Sequence, residues 1–490
     1  MAKSKGKRKH QGPQFDTLSK KPKTTAIVTP PPDQSQSTPD VDPKSIQAIG
    51  LEPDDIELAI DTLRALSENP NVIKSKACKD LRTAVYEFRQ ACTTGFNANA
   101  AGDTNLTARV SGALADGGYV EARILLAEMR IRGKTPKLGA LCRWVRDLDV
   151  VSGLAEQLDG ISKRTSTEET LLVVLDSILR LTGPTDYNVG EKVTGPISPM
   201  AEWDLRGDSI RRDTYASVLD GSISSSLPKD TNSNFRIIET TPGLQRKPAN
   251  LHPAILYTSK EDSINLSSTH SDATHHKHPI VPNLHLLKDV LMPEECTQII
   301  AAAEAIGFTP DAPIRDEGEE SSILAHNFYW VVDNTFCSKL WSRVQSFVPQ
   351  TVGGKGVRGL NRRFRVYRYV PGAEYRAHID GAWPPSSVDP QDKYIYDSSP
   401  PEAKQSSIFT FLIYLNDEFE AGETTFFLPS AREGVMNAYP VKPIQGSVAM
   451  FPHGETEDSL LHEGTGVRKG QKPSAKYVIR TDVLYDVDSE

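Results

Sequence analysis

The residues of this chain best placed to do chemistry are His378 and Asp380, in Tyr375-Arg-Ala-His-Ile-Asp-Gly381, and His462, in Leu460-Leu-His-Glu-Gly464. Side chains two positions apart on an extended segment point to the same side, because a strand alternates faces with period two. His378 and Asp380 can therefore grip one metal ion together. A second imidazole from a distant strand completes a facial triad of two histidines and one carboxylate. Such a triad leaves coordination positions open for oxygen and a bidentate cosubstrate, the layout of a non-haem iron site. His378, Asp380 and His462 are thus the candidate metal ligands and catalytic residues.

The segments around them read as strands. A basic run, Lys476-Tyr-Val-Ile-Arg480, follows His462. Phe409, Phe411, Ile413 and Leu415 alternate with Thr410, Leu412, Tyr414 and Asn416, the pattern of a strand packed on both faces. After the Asn416-Asp-Glu turn, Glu423-Thr-Thr-Phe-Phe-Leu428 is another short β-rich run. Upstream, residues 283–296 read as a strand followed by a helix start. Strands of this length, separated by turns and long loops, suggest a double-sheet jelly roll that can bury iron away from bulk water.

Four blocks in this order, at 283–296, 363–380, 411–426 and 446–453 with the His462 segment, resemble the 2-oxoglutarate and iron(II) dependent dioxygenases, and within them the prolyl 4-hydroxylase-like group. The likeness runs over roughly residues 282–487. It implies an α+β protein whose C-terminal part is a double-stranded β-helix (jelly roll), with Fe(2+), 2-oxoglutarate and O2 at the site and L-ascorbate keeping the iron reduced. It also implies the reaction: 2-oxoglutarate is decarboxylated to succinate and carbon dioxide while an unactivated C–H bond is hydroxylated. The prolyl-hydroxylase-like blocks favour a protein or peptide substrate, with proline as the expected residue.

The distal carboxylate of 2-oxoglutarate needs a buried cation, because an unpaired buried carboxylate is very costly. The resemblance assigns this role to the basic residue that begins the strand after the distal histidine, here Lys476. Lys472 sits at the family's usual spacing, but Pro473 beside it argues for a loop. Arg480 shares a strand face with Lys476 and is the reserve. Family members also use side chains on neighbouring strands, which maps onto Tyr369, Tyr414 and Thr424; both tyrosines would serve equally as barrel packing. Two other classes compete: a nucleobase-directed oxygenase of the same fold, which a basic, aromatic groove at the barrel mouth would support, and a non-catalytic binding scaffold. An intact triad argues against the scaffold, and nucleic acid is the disfavoured partner.

Other features have blander readings. His453, in Phe-Pro-His-Gly, reads as an ordinary surface or core histidine. Trp383 either lines the substrate mouth or covers the barrel rim. His275-His-Lys-His278 lies in a Ser/Thr/Asp-rich stretch and reads as a solvated loop rather than a second metal cluster. Residues 384–407, rich in Pro and Ser and directly after Asp380, are a candidate lid or substrate loop.

Composition sets the outer limits. A chain of 490 residues is too long for one ordinary core and leaves room for two domains plus tails. The net charge of -8 makes no general case for nucleic-acid binding. Five cysteines without close pairs fit a reducing compartment. No apolar run approaches membrane-spanning length, and no secretory-type apolar segment opens the chain. Lys5-Gly-Lys-Arg-Lys-His10 and Lys20-Lys-Pro-Lys23 resemble a bipartite nuclear import signal, so the expected location is intracellular, in nucleus or cytoplasm. The expected organisation is a disordered basic tail over 1–43, a mostly helical domain over 44–182, an irregular linker with edge strands over 183–281, and the dioxygenase domain over 282–490. Within the helical part, residues 113–136 look similar to one pentatricopeptide-type helical hairpin, and a single copy reads as part of a helical interaction domain.

Overall fold

The computed structural model describes residues 46–94, 106–157, 164–190, 193, 195–207, 213–268, 272–314, 323–453, 458–468 and 474–487. The basic tail and Lys472 lie outside the described residues. The chain forms two compact units, Met1–Cys78 and Lys79–Glu490. In the first, the helix Pro53–Ser67 starts with Pro at N1 and carries Asp54 and Asp55 in its first turn, where a missing N–H is harmless and negative charge meets the positive end of the helix.

The second unit is built on two sheets. Among the described residues the smaller runs, edge to edge, Ile197–Pro199, Met436–Val441, Thr424–Pro429, His462–Gly464, Ala373–His378 and Ile323–Leu324. The larger runs Phe235–Thr241, Ala254–Ser259, His326–Val331, Arg363–Tyr369, Lys476–Asp486, Gln405–Tyr414, Val448–Pro452, His285–Lys288 and Thr274–Lys277, with Lys355–Leu360 also paired to Lys476–Asp486. Inward residues of both sheets, among them Tyr369, Tyr414, Phe426, Tyr439, Phe451 and Val478, share one core between the sheets. This is the expected jelly roll.

Alternation also leaves apolar residues on the outer faces, and each outer face is covered. Behind the larger sheet, Phe364, Val366, Phe411, Ile413 and Ile479 pack with Ile299 and Ile300 of the helix Pro293–Ile306 and Leu340 of the helix Asn334–Val344. Arg343 ties the two helices together through a buried ion pair to Glu295, Nη1 to Oε2 at 2.7 Å. Where the next turn must pass close, Gly446 (φ 76°) is required, since a Cβ there would stand 2.1 Å from the Leu291 carbonyl oxygen.

Helices cover the smaller sheet. Leu106–Ala115 and Tyr119–Ile131 form a hairpin followed by Leu138–Leu148 and Ser166–Leu179. Their buried Val110, Leu126, Trp144 and Leu175 share a core with Ala377, Phe427, Met436 and Ala438 of the sheet and with Ile379 just past its strand. From Lys79 onward the helices therefore belong to the same compact unit as the barrel. The physical reason is that Phe427 and Ala438 alternate outward and need a second layer.

The 183–281 stretch supplies Ile197–Pro199 at an edge of the smaller sheet and the hairpin of Phe235–Thr241 and Ala254–Ser259 at one side of the larger, with Phe235–Thr241 outermost. The solvated-loop expectation at His275–His278 is corrected: Thr274–Lys277 is an edge strand paired to His285–Lys288. His275 Nε2 lies 2.7 Å from His285 Nδ1, and His278 is buried with Nδ1 accepting from the backbone of Ile280 and Val281.

Candidate metal centre and cosubstrate pocket

Strand alternation decides what enters the space between the sheets. On Lys476–Asp486, Tyr477 and Ile479 turn to the covering helices, while Lys476, Val478 and Arg480 turn inward. Register sets Tyr369 opposite Lys476 and Arg365 opposite Arg480. The three candidate ligands, Tyr369, Thr424, Lys476 and Arg480 thereby line a single pocket. Tyr414 stands just behind it, its buried hydroxyl donating to Thr424 Oγ1 at 2.8 Å.

His378 ends its strand directly opposite His462, with ring centroids 4.3 Å apart. Asp380 lies beyond the strand end, so the turn of the chain after His378, not a shared strand face, delivers its carboxylate. Oδ1 is 3.4 Å from His378 Nε2 and Oδ2 is 3.6 Å from His462 Nε2; one ligand atom from each residue falls within 4.8 Å of the others. His378 Nδ1 is 2.7 Å from the Arg376 carbonyl and His462 Nδ1 is 3.1 Å from that of Leu460. A carbonyl only accepts, so each Nδ1 carries the proton and each Nε2 lone pair faces the carboxylate.

The charges suit a divalent cation. Burial opposes ionisation of Asp380, but the Arg480 guanidinium beside it holds its carboxyl well below the usual carboxylate range. Burial, reinforced by His378, pushes His462 down to about 3, which keeps the imidazole neutral. Two neutral imidazoles and one carboxylate are the donor set a non-haem iron takes.

Behind Asp380 runs a chain of hydrogen bonds that the sequence reading missed. Thr410 Oγ1 donates to Asp380 Oδ2 at 2.6 Å, so its oxygen must accept from His453 Nδ1, also at 2.6 Å. His453 Nε2 then accepts from Ser407 Oγ at 2.7 Å, which in turn accepts from the Trp383 amide at 2.9 Å. His453 is thus a fully buried support of a candidate ligand. The available signal was Thr410, a hydroxyl on the inward face of an apolar strand, which must find partners.

At the other end of the pocket, buried Lys476 donates to the Gly422 carbonyl at 2.7 Å and lies 4.8 Å from the Tyr369 ring centroid. The neighbouring Glu423 carboxylate is taken by Lys442 at 2.6 Å. Among the described residues Lys476 has no carboxylate partner, and burial pushes its ammonium down to about 7 against the pull of Glu423. Such a group fits one end of a dicarboxylate. Arg480, by contrast, is engaged with Asp380 at 3.3 Å and Asp482 at 3.0 Å. The geometry favours Lys476 over Arg480 for the anion.

Residues 364–481 match the family model described as the 2OG-Fe(II) oxygenase superfamily. Prolyl 4-hydroxylase 1 of Arabidopsis thaliana is 25% identical over 209 residues, 40% of this chain and 67% of that protein. Probable prolyl 4-hydroxylase 9 of the same plant is 31% identical over 134 residues, 25% of this chain and 42% of that protein. The chain therefore spans about two thirds of the first relative and under half of the second. Among solved structures, the viral collagen prolyl hydroxylase of Paramecium Bursaria Chlorella virus-1 in its 2OG complex is 17% identical, with a TM-score of 0.27, covering 42% of this chain and 97% of that one. A Pseudomonas putida prolyl-4-hydroxylase is 15% identical, with a TM-score of 0.25, covering 42% and 94%. The matched segment and the His-Asp-His group define a 2-oxoglutarate-dependent dioxygenase. Within that class this segment is similar to plant prolyl 4-hydroxylases.

Proposed function

We propose that the protein hydroxylates a protein or peptide substrate at proline, consuming 2-oxoglutarate and O2 and releasing succinate and carbon dioxide, with ascorbate maintaining the metal as Fe(II). The observation that carries this reading is one pocket with a His-Asp-His group at one end and, at the other, a buried ammonium that has no carboxylate partner among the described residues. His378, Asp380 and His462 would hold the iron, and Lys476 the distal carboxylate of the cosubstrate, with Tyr369 and Thr424 beside it. Iron and 2-oxoglutarate supply oxygen activation and the oxidation of the C–H bond.

The protein's own part is positioning. Backbone carbonyls fix both imidazoles with Nε2 forward, Thr410 and Arg480 fix the Asp380 carboxylate, and the two sheets exclude water around them. The test is succinate release by anaerobically iron-loaded protein given 2-oxoglutarate and oxygen, followed by mass spectrometry of proline-containing peptides for a gain of one oxygen. Turnover lost in Asp380→Ala, with folding retained, supports the reading. Bound iron and 2-oxoglutarate with no peptide oxidation, but oxidation of a nucleobase, would transfer it to the nucleobase-directed class. Failure to bind either cofactor would return the scaffold.

A further inference from the structure

We propose that the cleft above the metal centre binds an acidic peptide segment, anchored by Arg363. This names the substrate class of the oxygenase reading above and rests on it. The cleft encloses about 650 Å³. Cys142, Arg146 and Asp149, at and just beyond the helix Leu138–Leu148, line it, as does the Phe235–Thr241 and Ala254–Ser259 hairpin with Lys247 in its loop; His378 and Asp380 open into it as well. The helices that cover the smaller sheet therefore also shape the approach to the site.

Basic side chains outnumber carboxylates in this cleft, within a chain whose formal net charge is -8. Much of that charge is internally matched. Asp311 is shared between Arg246 at 2.9 Å and Arg365 at 3.2 Å, which leaves one positive charge over, and Arg376 pairs with Asp149 at 3.2 Å. Among the described residues, exposed Arg146 pairs only with its chain neighbour Asp147, a surface pair worth little. Lys247 has no ion-pair partner among the described residues, against the single unmatched carboxylate of Glu239.

Arg363 is held differently. Its guanidinium carbon lies 4.3 Å from the Tyr329 ring centroid and 4.1 Å from that of Trp383, a cation layered between two aromatic faces. Among the described residues its side chain has neither an ion pair nor a hydrogen bond, and its charge reaches the buried Asp482 carboxylate only at longer range. Trp383 is itself pinned, by its amide to Ser407 and by an edge-on contact with Tyr396. Stacking fixes the plane of the fork and leaves its N–H edge for a planar, bidentate anion, which a carboxylate side chain matches.

A basic, aromatic mouth is also what a nucleobase-directed enzyme would show. Here the two aromatic faces are taken by Arg363, so they do not serve as platforms for bases. Asp149, Glu239 and Asp311 also stand among the cations, where a continuous phosphate backbone would meet them. An acidic side chain flanking the oxidised residue meets Arg363 and Lys247 without that penalty.

The experiment is fluorescence anisotropy with full-length protein loaded anaerobically with Fe(II) and 2-oxoglutarate. The probes are labelled peptides of repeated Glu-Pro-Ala, Gln-Pro-Ala and Lys-Pro-Ala units. The Glu peptide is expected to bind about tenfold more tightly than its Gln counterpart, with the advantage shrinking as salt rises. Arg363→Gln is expected to erase that advantage, and Arg363→Lys to restore only part of it. Equal binding of Glu and Gln peptides by the wild-type protein overturns the proposal whatever the variants do, as does an undiminished preference in Arg363→Gln. Tighter binding of a single-stranded oligonucleotide than of the Glu peptide also overturns it. The visible charge-transfer absorption of the Fe(II) and 2-oxoglutarate complex separates the two readings. With that band present, a missing preference removes only the acidic-peptide assignment; without it, the oxygenase reading and this one fall together.

Discussion

Arg480 and Asp380 form an ion pair at the metal centre, Nη1 to Oδ1 at 3.3 Å, while Lys476, four residues earlier on the same strand face, meets no carboxylate among the described residues. Four residues of strand span roughly 13 Å, so the two cations sit at opposite ends of the pocket and do different work. Lys476→Ala is expected to raise the 2-oxoglutarate concentration for half-saturation by roughly 100-fold, the loss of a charge-assisted hydrogen bond in a buried site. Arg480→Lys is expected to leave that value almost unchanged and to weaken retention of iron. Titrating 2-oxoglutarate into each iron-loaded variant checks this, and the reverse pattern would make Arg480 the anchor.

The buried ammonium also predicts a pH dependence. Lys476 is lowered from 10.5 to about 7 by burial. The unfolded chain therefore holds more protons than the folded one between those values, and stability of the cofactor-free protein should rise with pH across that window. Cosubstrate binding runs the other way, because the dicarboxylate needs the ammonium form. Its affinity is expected to weaken as pH rises above about 7, with proton uptake on binding. Isothermal titration in buffers of different ionisation enthalpy measures that uptake, which should vanish in Lys476→Ala.

The triad was legible because its ligand types are few and a His-x-Asp pair with a distant histidine is a compact pattern, although the strand-face argument fails at Asp380, which lies past the strand end; Lys476 and Arg480 followed from period two on one strand. Their neighbours were not legible in the same way. Tyr329 reaches Arg363 only because His326–Val331 pairs with Arg363–Tyr369, and nothing in the local sequence states that adjacency. His453 meets Thr410 across the pairing of Gln405–Tyr414 with Val448–Pro452. The 274–277 strand was hidden for another reason: its residues are polar, and pairing to His285–Lys288 on one side gives it order without an apolar stripe. The helical cover likewise showed its amphipathic period but not what its apolar face would meet.

That cover should be energetically continuous with the barrel. Trp144 is 1% exposed, packs in the core shared by the helices and the smaller sheet, and donates from Nε1 to Ser111 Oγ at 2.8 Å. Trp144→Ala is expected to destabilise by about 3–5 kcal/mol. Trp144→Phe, which keeps most of the packing and loses the hydrogen bond, should cost about 1 kcal/mol plus a smaller packing loss. Urea unfolding followed by circular dichroism tests both. The shift should appear in the same transition that abolishes iron binding; an early, separate helical transition would mean that the cover folds independently of the barrel.

The support behind Asp380 gives the sharpest separation of positioning from ligation. Thr410 can satisfy Asp380 and His453 at once only with its proton toward the carboxylate, which orients that carboxylate without touching the metal. Thr410→Val keeps the side-chain shape, removes the hydroxyl and leaves His453 Nδ1 without this acceptor. Iron affinity is expected to fall by about 10–100-fold, the usual effect of losing a partner that orients a ligand, while 2-oxoglutarate half-saturation at saturating iron stays close to wild type. Thr410→Ser restores the hydroxyl and should recover most of the loss, which a general packing defect would not allow. Competition for Fe(II) against a coloured chelator measures the affinity directly. Unchanged iron binding in Thr410→Val would show that Arg480 alone suffices to set the Asp380 carboxylate.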